Sequence, residues 1–420
     1  MNASAGPLSK ASDTVADPLV EAIRGIDTTA LDCIQVNAAV LADARHGPGS
    51  HVELGGQLDF VPRAGPHGLL PTVEEPAADR IEPMGDLLGL VLEGGRPMMD
   101  GRALLGLLPD DGSPLYVVGD AFRMPWLPYH DHQHMDHSVL LRAVDGGARV
   151  EAVDAYDNET PYGRAEPVVC SYDFGEAAAL FDGSPALPVT VRAAPPAHPS
   201  VAEALARNAE GGRRLLAGDA PERYAAAFRD HPDQQEACAA LLLETWLLSR
   251  SRRLHAAWVA HHLPGSPLAS AAAGRAAAWD TLAGQCYLAA RRVQRGRPAP
   301  PQIHPALAEL LRADAESAVR AATEYSGEAM PHVPAQVRQT VVHTVADVLG
   351  AVPETVAATD DLSRLEGFAS FQMVETVERL EDAYGVEFAA EDLDAAVLRT
   401  VEGLVGLVLR TTVGAEVAHA

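Results

Sequence analysis

The stretch Leu365-Glu366-Gly367-Phe368-Ala369-Ser370-Phe371-Gln372-Met373-Val374-Glu375 decides how the C-terminal part of this chain is read. A serine follows a glycine three residues earlier and precedes a Val-Glu pair four and five residues later. Serine is favoured at a helix start, where its hydroxyl accepts from first-turn amides. A helical pattern follows and ends at Leu380-Glu381-Asp382-Ala383-Tyr384-Gly385-Val386. Working outward, residues 335–413 read as an independent four-helix unit. Its first helix runs from Ala335 to about Gly350, and the serine-led helix from about Ser370 to Tyr384. A short helix is expected over Glu391 to Ala396, and Thr400 opens the last one. Residues 327–334, ending in Pro331-His332-Val333-Pro334, form a linker ahead of this unit.

Together with Asp361-Leu362 upstream, these residues resemble an acyl carrier protein at its phosphopantetheine attachment site, and the helix order matches that all-α fold. The resemblance implies 4′-phosphopantetheine held covalently on Ser370. It also implies a phosphopantetheinyl transferase to install the group, and an acyl-loading synthetase or polyketide or nonribosomal peptide enzymes as partners. A helix N-terminus suits the modification, because free backbone N–H groups and the helix dipole favour a phosphodiester. Glu375, Glu378, Glu381 and Asp382 would form the acidic face that carrier proteins present to basic partners. The usual Asp-Ser-Leu reads Ala369-Ser370-Phe371 here, a departure that bears on recognition by a generic transferase.

Composition narrows the rest. A chain of 420 residues with 47% hydrophobic and 21% charged residues is globular, with two or three domains. A formal net charge of -26 argues against nucleic acid, whose phosphates would be repelled. Arginine carries nearly all the positive charge, and Lys10 is the one lysine. Cys33, Cys170, Cys238 and Cys286 are too scattered for a disulfide framework or a zinc ribbon. No signal peptide is visible, and no apolar run reaches membrane-spanning length. A cytoplasmic location, with no membrane partner, is the expectation.

The first 18 residues are small and polar and are expected to be disordered. Residues 19–197 have an α+β character. A helical stretch follows Asp32, and apolar runs appear at Leu115-Tyr116-Val117-Val118, Ser138-Val139-Leu140-Leu141 and Val150-Glu151-Ala152-Val153. Asp145-Gly146-Gly147 lies between the last two and predicts a hairpin. Residues 198–326 are rich in Ala, Leu and Arg at helical spacing, and read as a helical domain or extension. Helices are expected over 199–217, 233–262, 267–295 and 304–325.

Within 19–197, Asp32-Cys33 opens the stretch Ile34-Gln35-Val36-Asn37-Ala38-Ala39-Val40-Leu41. A thiol at a helix N-terminus has its thiolate favoured by the dipole, so a lowered pKa is expected for Cys33. An antiparallel hairpin can bring the start of one strand beside the end of the next. That would join His137 to Asp154 and give a nucleophile, a base and a group that orients the base. The competing assignment for Cys33 is a small buried hydrophobe.

The order helix-Cys, strand-His, strand-Asp resembles the papain-like fold. More narrowly it resembles the acyltransferase family named for butirosin biosynthesis protein H, over about residues 19–325. The resembling residues are Asp32-Cys33, the segment Gly119-Asp120-Ala121-Phe122-Arg123-Met124-Pro125-Trp126-Leu127-Pro128-Tyr129-His130, then His137-Ser138-Val139-Leu140 and Val153-Asp154. The resemblance implies acyl transfer from a carrier thioester, through Cys33, to a small-molecule amine, giving an amide in secondary metabolism. His137 would be the base, with Asp154 as its orienter. Asp27 stands where papain-like enzymes place an oxyanion-hole glutamine, so Gln35 or a backbone N–H would have to serve. A thioesterase or cyclase, a peptidase, and a non-catalytic scaffold presenting the carrier are the alternatives.

His130, His132, His134 and His137 alternate with Asp131 and Asp136, which invites a metal reading. The preceding Leu127-Pro128-Tyr129 makes a loop lining the site the favoured one, and no metal is expected. His255, His261 and His262 are expected at the surface or as caps, and Trp246, Trp258 and Trp279 in the core.

Overall fold

Apolar runs of the N-terminal region pair into one antiparallel sheet, seen in a computed structural model of the chain. The structure describes residues 4–7, 17–58, 60–65, 70–194, 198–325, 334–359, 361–365, 367–389, 392–393 and 397–418. The chain forms two compact units: residues 1–258 with 273–319, and residues 259–272 with 320–420.

The first unit opens with β1 (Ser4–Pro7), α1 (Pro18–Gly25) and α2 (Gln35–His46). Then come the short pair β2 (Arg63–Ala64) and β3 (Pro71–Thr72), α3 (Ala77–Leu88), β4 (Leu90–Gly94) and α4 (Gly101–Leu105). The centre of the sheet is β5 (Leu115–Asp120), β6 (Asp136–Val144) and β7 (Arg149–Asp154). A small ribbon, β8 (Asn158–Thr160) with β9 (Gly163–Ala165), leads to β10 (Val168–Asp173), α5 (Phe174–Phe181) and β11 (Leu187–Ala193). The seven sheet strands lie in the order β1-β10-β7-β6-β5-β11-β4, each neighbouring pair antiparallel.

Continuous burial along Leu115–Gly119 and His137–Leu141 shows that both faces of the central strands are covered. α2 packs on β6, while α5 packs on β7 and β10. α2 is itself buried nearly all round, from Val36 to Asp43, which makes it an interior helix. The expected hairpin joins β6 to β7. Asp145, Gly146 and Gly147 have φ of 53°, 68° and 88°, a run of left-handed backbone that glycine adopts without a Cβ clash. The expected disordered N-terminus is corrected in part: residues 4–7 form an edge strand on Val168–Ser171, and Asp17 caps α1. Residues 8–16 lie outside the described residues.

The helical region contains α6 (Val201–Leu216), α7 (Ala220–Arg229), α8 (Gln234–His262), α9 (Pro267–Val293) and α10 (Ile303–Glu324). α7 is an addition to the four expected helices. This region does not separate at residue 198; most of it belongs to the unit that holds the sheet. A Cβ on Gly55 would stand 2.2 Å from Leu254 O, so only glycine allows this loop to lie against α8. Trp258 and Trp279 are buried core residues, while Trp246 is half-buried.

His255 is corrected from surface to core: it is 8% exposed, with Nδ1 on Gly55 O at 2.8 Å. His262 is buried too, whereas His261 is exposed.

The second unit contains α11 (Pro334–Leu349), α12 (Pro353–Ala357), α13 (Ser370–Tyr384) and α14 (Val401–Ala418). Val337, Val341 and Val345 meet Val377, Leu380, Leu404 and Val408 in one apolar core. The helix expected over Glu391 to Ala396 falls mostly outside the described residues. Thr400 caps α14 through Oγ1, which accepts from Gly403 N–H at 2.9 Å.

The buried His255 makes stability depend on pH. Burial pushes its imidazole down to about 4 from 6.5, with the Gly55 hydrogen bond opposing only in part. The unfolded chain therefore binds an extra proton between about pH 6.5 and pH 4, and stability falls as pH falls through that window. Above it, this group contributes no pH dependence. In urea titrations across the window, His255→Gln should lose up to about 1.4 kcal/mol of this dependence per pH unit. Parallel curves for the two proteins would count against the assignment.

Candidate functional site

Asp32 organises the start of α2. Its Oδ1 accepts from the N–H groups of Ile34 and Gln35 at 2.8 and 3.0 Å, and Gln35 Oε1 accepts from Asp32 N–H at 3.3 Å. This reciprocal arrangement has the logic of a capping box. Asp32 Oδ2 pairs with Arg80 on α3. The amides expected to face the sulfur of Cys33 are thus taken up by the neighbouring carboxylate.

Cys33 is 9% exposed. Its Sγ donates to Asp136 O at 3.5 Å, and its own carbonyl accepts from Ser138 N–H at 3.3 Å and from Ser138 Oγ. The expected lowered pKa is overturned. Burial pushes the thiol well above its usual range, the Asp32 carboxylate pushes the same way, and Arg80 opposes them.

The hairpin joins His137 and Asp154 as expected. His137 lies at the start of β6, fully buried, with Nε2 on Asp154 Oδ2 at 2.7 Å. A carboxylate only accepts, so Nε2 carries the proton and Nδ1 of the neutral ring is a bare acceptor. That Nδ1 is buried with no hydrogen-bond partner. Sulfur and imidazole are therefore near in the chain path, because Cys33 grips residues 136 and 138, but they are not hydrogen-bonded to each other. Tyr156 packs edge-on against the imidazole, ring centroids 5.1 Å apart.

Asp154 also accepts from Trp126 Nε1 at 2.8 Å, Tyr156 N–H at 3.0 Å and Asn37 Nδ2 at 3.3 Å. Burial works against its charge. The adjacent His137 and its hydrogen bond, with the Trp126 and Tyr156 donors, still hold its carboxyl below the usual range. Asn37 is one turn beyond Cys33 on α2; its Nδ2 also reaches Ser138 O and Oγ, and its Oδ1 accepts from Ala155 N–H. Asn37, Trp126 and Arg80 were given no role from sequence. Asn37 carried a signal, a lone amide in the apolar run Val36–Ala42.

The remaining histidines do not converge. His134 Nδ1 bonds Asp120 Oδ2 at 2.6 Å and its ring stacks on Phe122. His132 stacks on Tyr162, and His130 Nδ1 bonds Phe122 O at 2.8 Å. Among the described residues, no three His, Cys, Asp or Glu side chains gather as metal ligands do. Asp27 caps the turn Thr28–Ala30, and Cys170, Cys238 and Cys286 are free and buried.

In the second unit, Ser370 is the first residue of α13. Gly367 has φ +85°, and a Cβ there would meet Leu349 O at 3.3 Å, which explains the glycine at this spacing. Ala369 occupies the N-cap with extended backbone and supplies no side-chain cap. No side chain of Ala369 competes for the amides that open α13, while Gln372 N–H turns back to Ala369 O at 3.0 Å. Met373, Val377 and Leu380 face the core, while Phe371 is 88% exposed. The expected acidic face is reduced by two internal bonds. Glu381 Oε1 accepts from Phe388 N–H at 2.7 Å, and Glu375 pairs with Arg379 at 2.6 Å.

Residues 339–408 match the family model described as the phosphopantetheine attachment site. A comparison with curated proteins finds no match. The C-terminal unit thus carries an acyl carrier domain, whose cofactor is 4′-phosphopantetheine held covalently on a serine. The matched segment holds two serines, and Ser363 Oγ is engaged with Asp361 Oδ1 at 2.6 Å. The domain implies carrier-based biosynthesis and partners such as a phosphopantetheinyl transferase. Among the described residues no helix is long and apolar enough to cross a membrane.

Asp32 controls the thiol. Asp32→Asn keeps a capping oxygen, removes the adjacent negative charge and leaves Arg80 to favour the thiolate. Alkylation of Cys33 by iodoacetamide at pH 7.5 should rise roughly 3- to 10-fold, since each unit of pKa is a factor of ten in thiolate. An unchanged or slower rate would remove Asp32 from this role.

Proposed function

We propose that the chain is a cysteine-dependent acyltransferase, with a papain-like catalytic fold, that makes an amide from a carrier-bound acyl group and a small-molecule amine. The observation that carries this reading is the His137–Asp154 bond, which leaves a bare, buried Nδ1 beside the segment that packs on Cys33. Ser370 is the attachment serine in this reading. When bound, the pantetheine arm supplies a thiol that presents the acyl group as a thioester.

The residues of this chain then have defined tasks. His137 Nδ1 takes the proton from Cys33 Sγ, and the sulfur attacks the thioester carbonyl. His137 would then return the proton to the leaving sulfur as the carbon–sulfur bond to the donor breaks. The amine next attacks the acyl group on Cys33; His137 removes a proton from nitrogen and returns it to Sγ as that bond breaks. Asp154 fixes the ring so that Nδ1 is the free nitrogen and stabilises the imidazolium that forms. The absence of a Cys33–His137 bond is compatible with this sequence, because catalytic hydrogen bonds are often loose before substrate arrives.

A second reading draws on the raised Cys33 pKa, which favours a non-catalytic module that presents the carrier. With water in place of the amine, the same residues would serve a thioesterase or cyclase. Cys33→Ala separates the readings. Transfer should vanish while Ser370 still gains the mass of phosphopantetheine from coenzyme A and a transferase. His137→Ala should slow transfer by roughly 10²- to 10⁴-fold. Undiminished turnover in Cys33→Ala would sink the catalytic reading, and product mass with and without added amine identifies the acceptor.

A further inference from the structure

Arg250 on α8 is 6% exposed, and among the described residues no carboxylate pairs with it. Its guanidinium is shared between two segments of the sheet region. Nη1 donates to Leu31 O and to Thr28 O, on the chain leading into Cys33. Nη2 donates to Asp157 O and Asn158 Oδ1, each at 3.0 Å, on the chain leaving Asp154. Its Cζ lies over the Trp246 ring, 4.3 Å from the centroid, and Trp246 Nε1 donates to the same Asn158 Oδ1. Burying a charge without a counter-charge is unfavourable, and a fold gains from it only through the bonds the charge makes. A planar fork with fixed donor directions can hold two carbonyl-bearing segments at a set spacing, which a lysine ammonium cannot.

We infer that Arg250 is a positioning residue that fixes the Cys33 segment against the Asp154 segment; its catalytic consequence rests on the acyltransfer reading above. It touches neither sulfur nor imidazole and acts through the backbone on each side. The helical region thereby completes the site, which explains why it shares a unit with the sheet.

The test uses the full chain and two readouts. The first is hydrogen–deuterium exchange. In Arg250→Lys, peptides covering 28–37 and 153–160 should exchange about tenfold faster or more, while peptides from α10 keep wild-type protection. Asn158→Ala, a milder change, should loosen 153–160 by about threefold and leave 28–37 as it was. Global destabilisation does not produce that one-sided pattern, and Trp246→Phe, which removes the other donor to Asn158 Oδ1, should leave 153–160 as it was, so the two variants together decide the matter even if Arg250→Lys fails to fold. The second readout is the pH profile of Cys33 alkylation. Arg250→Lys should slow alkylation near neutrality about fivefold, to the level of His137→Ala, with no further loss in the double variant. The profiles should converge as pH rises and the free thiolate reacts unaided. Wild-type protection of both segments, or losses that simply add, would overturn the inference. Failure of the acyltransfer reading is seen separately, as transfer that survives Cys33→Ala while the exchange pattern stands.

Discussion

One buried carboxylate gathers the sheet-bearing unit of this protein. Asp154 accepts from His137, Trp126, Asn37 and the Tyr156 amide, which come from β6, the loop after β5, α2 and its own strand end. An ionised group at 1% exposure survives only if nearly all its lone pairs are used. The demand for donors therefore fixes where α2 lies against the hairpin. It also fixes which imidazole nitrogen is left over, because Nε2 is committed to the carboxylate. Loss of any one donor leaves the others misplaced, so the site is a network in which contributions do not add.

A second carboxylate governs the sulfur and works in the opposite sense. A local reading of Asp32-Cys33 assigns the helix dipole to the thiol. In the structure the Asp32 side chain takes the first-turn amides and adds a negative charge of its own. The sulfur is then left in an apolar setting that favours the neutral thiol. Arg80 offsets this in part. In the proposed acyl transfer, a neutral resting thiol would call for a base that removes the proton as the substrate binds, rather than a preformed ion pair.

How much could be seen in the sequence follows from how local each signal was. The β6–β7 hairpin was legible because Asp145-Gly146-Gly147 specifies its turn and short apolar runs flank it. That hairpin was enough to join His137 to Asp154. The carrier unit was legible because Gly367, Ser370 and the α13 pattern are set within one short stretch. β11 was missed because Pro188 sits inside it, and a proline argues against a central strand. His255 was expected at the surface or as a cap, and it stands in a basic run with Arg250, Arg252 and Arg253. Three of those four are buried, with partners supplied by chain far away in sequence. Long-range satisfaction of polar groups has no local signature, and the same blindness hid Asn37 and Arg80.

The grip of Ser138 on the Cys33 carbonyl bears on how the sulfur can move. With its peptide pinned to β6 on one side and to the Asp32 cap on the other, the main chain around Cys33 has little freedom. Rotation about Cα–Cβ remains. Exchange of the thiol between its carbonyl partner at residue 136 and any other neighbour is thus a torsional hop between staggered wells. Such a hop needs neither hinge nor domain closure, and it runs far faster than any loop rearrangement could.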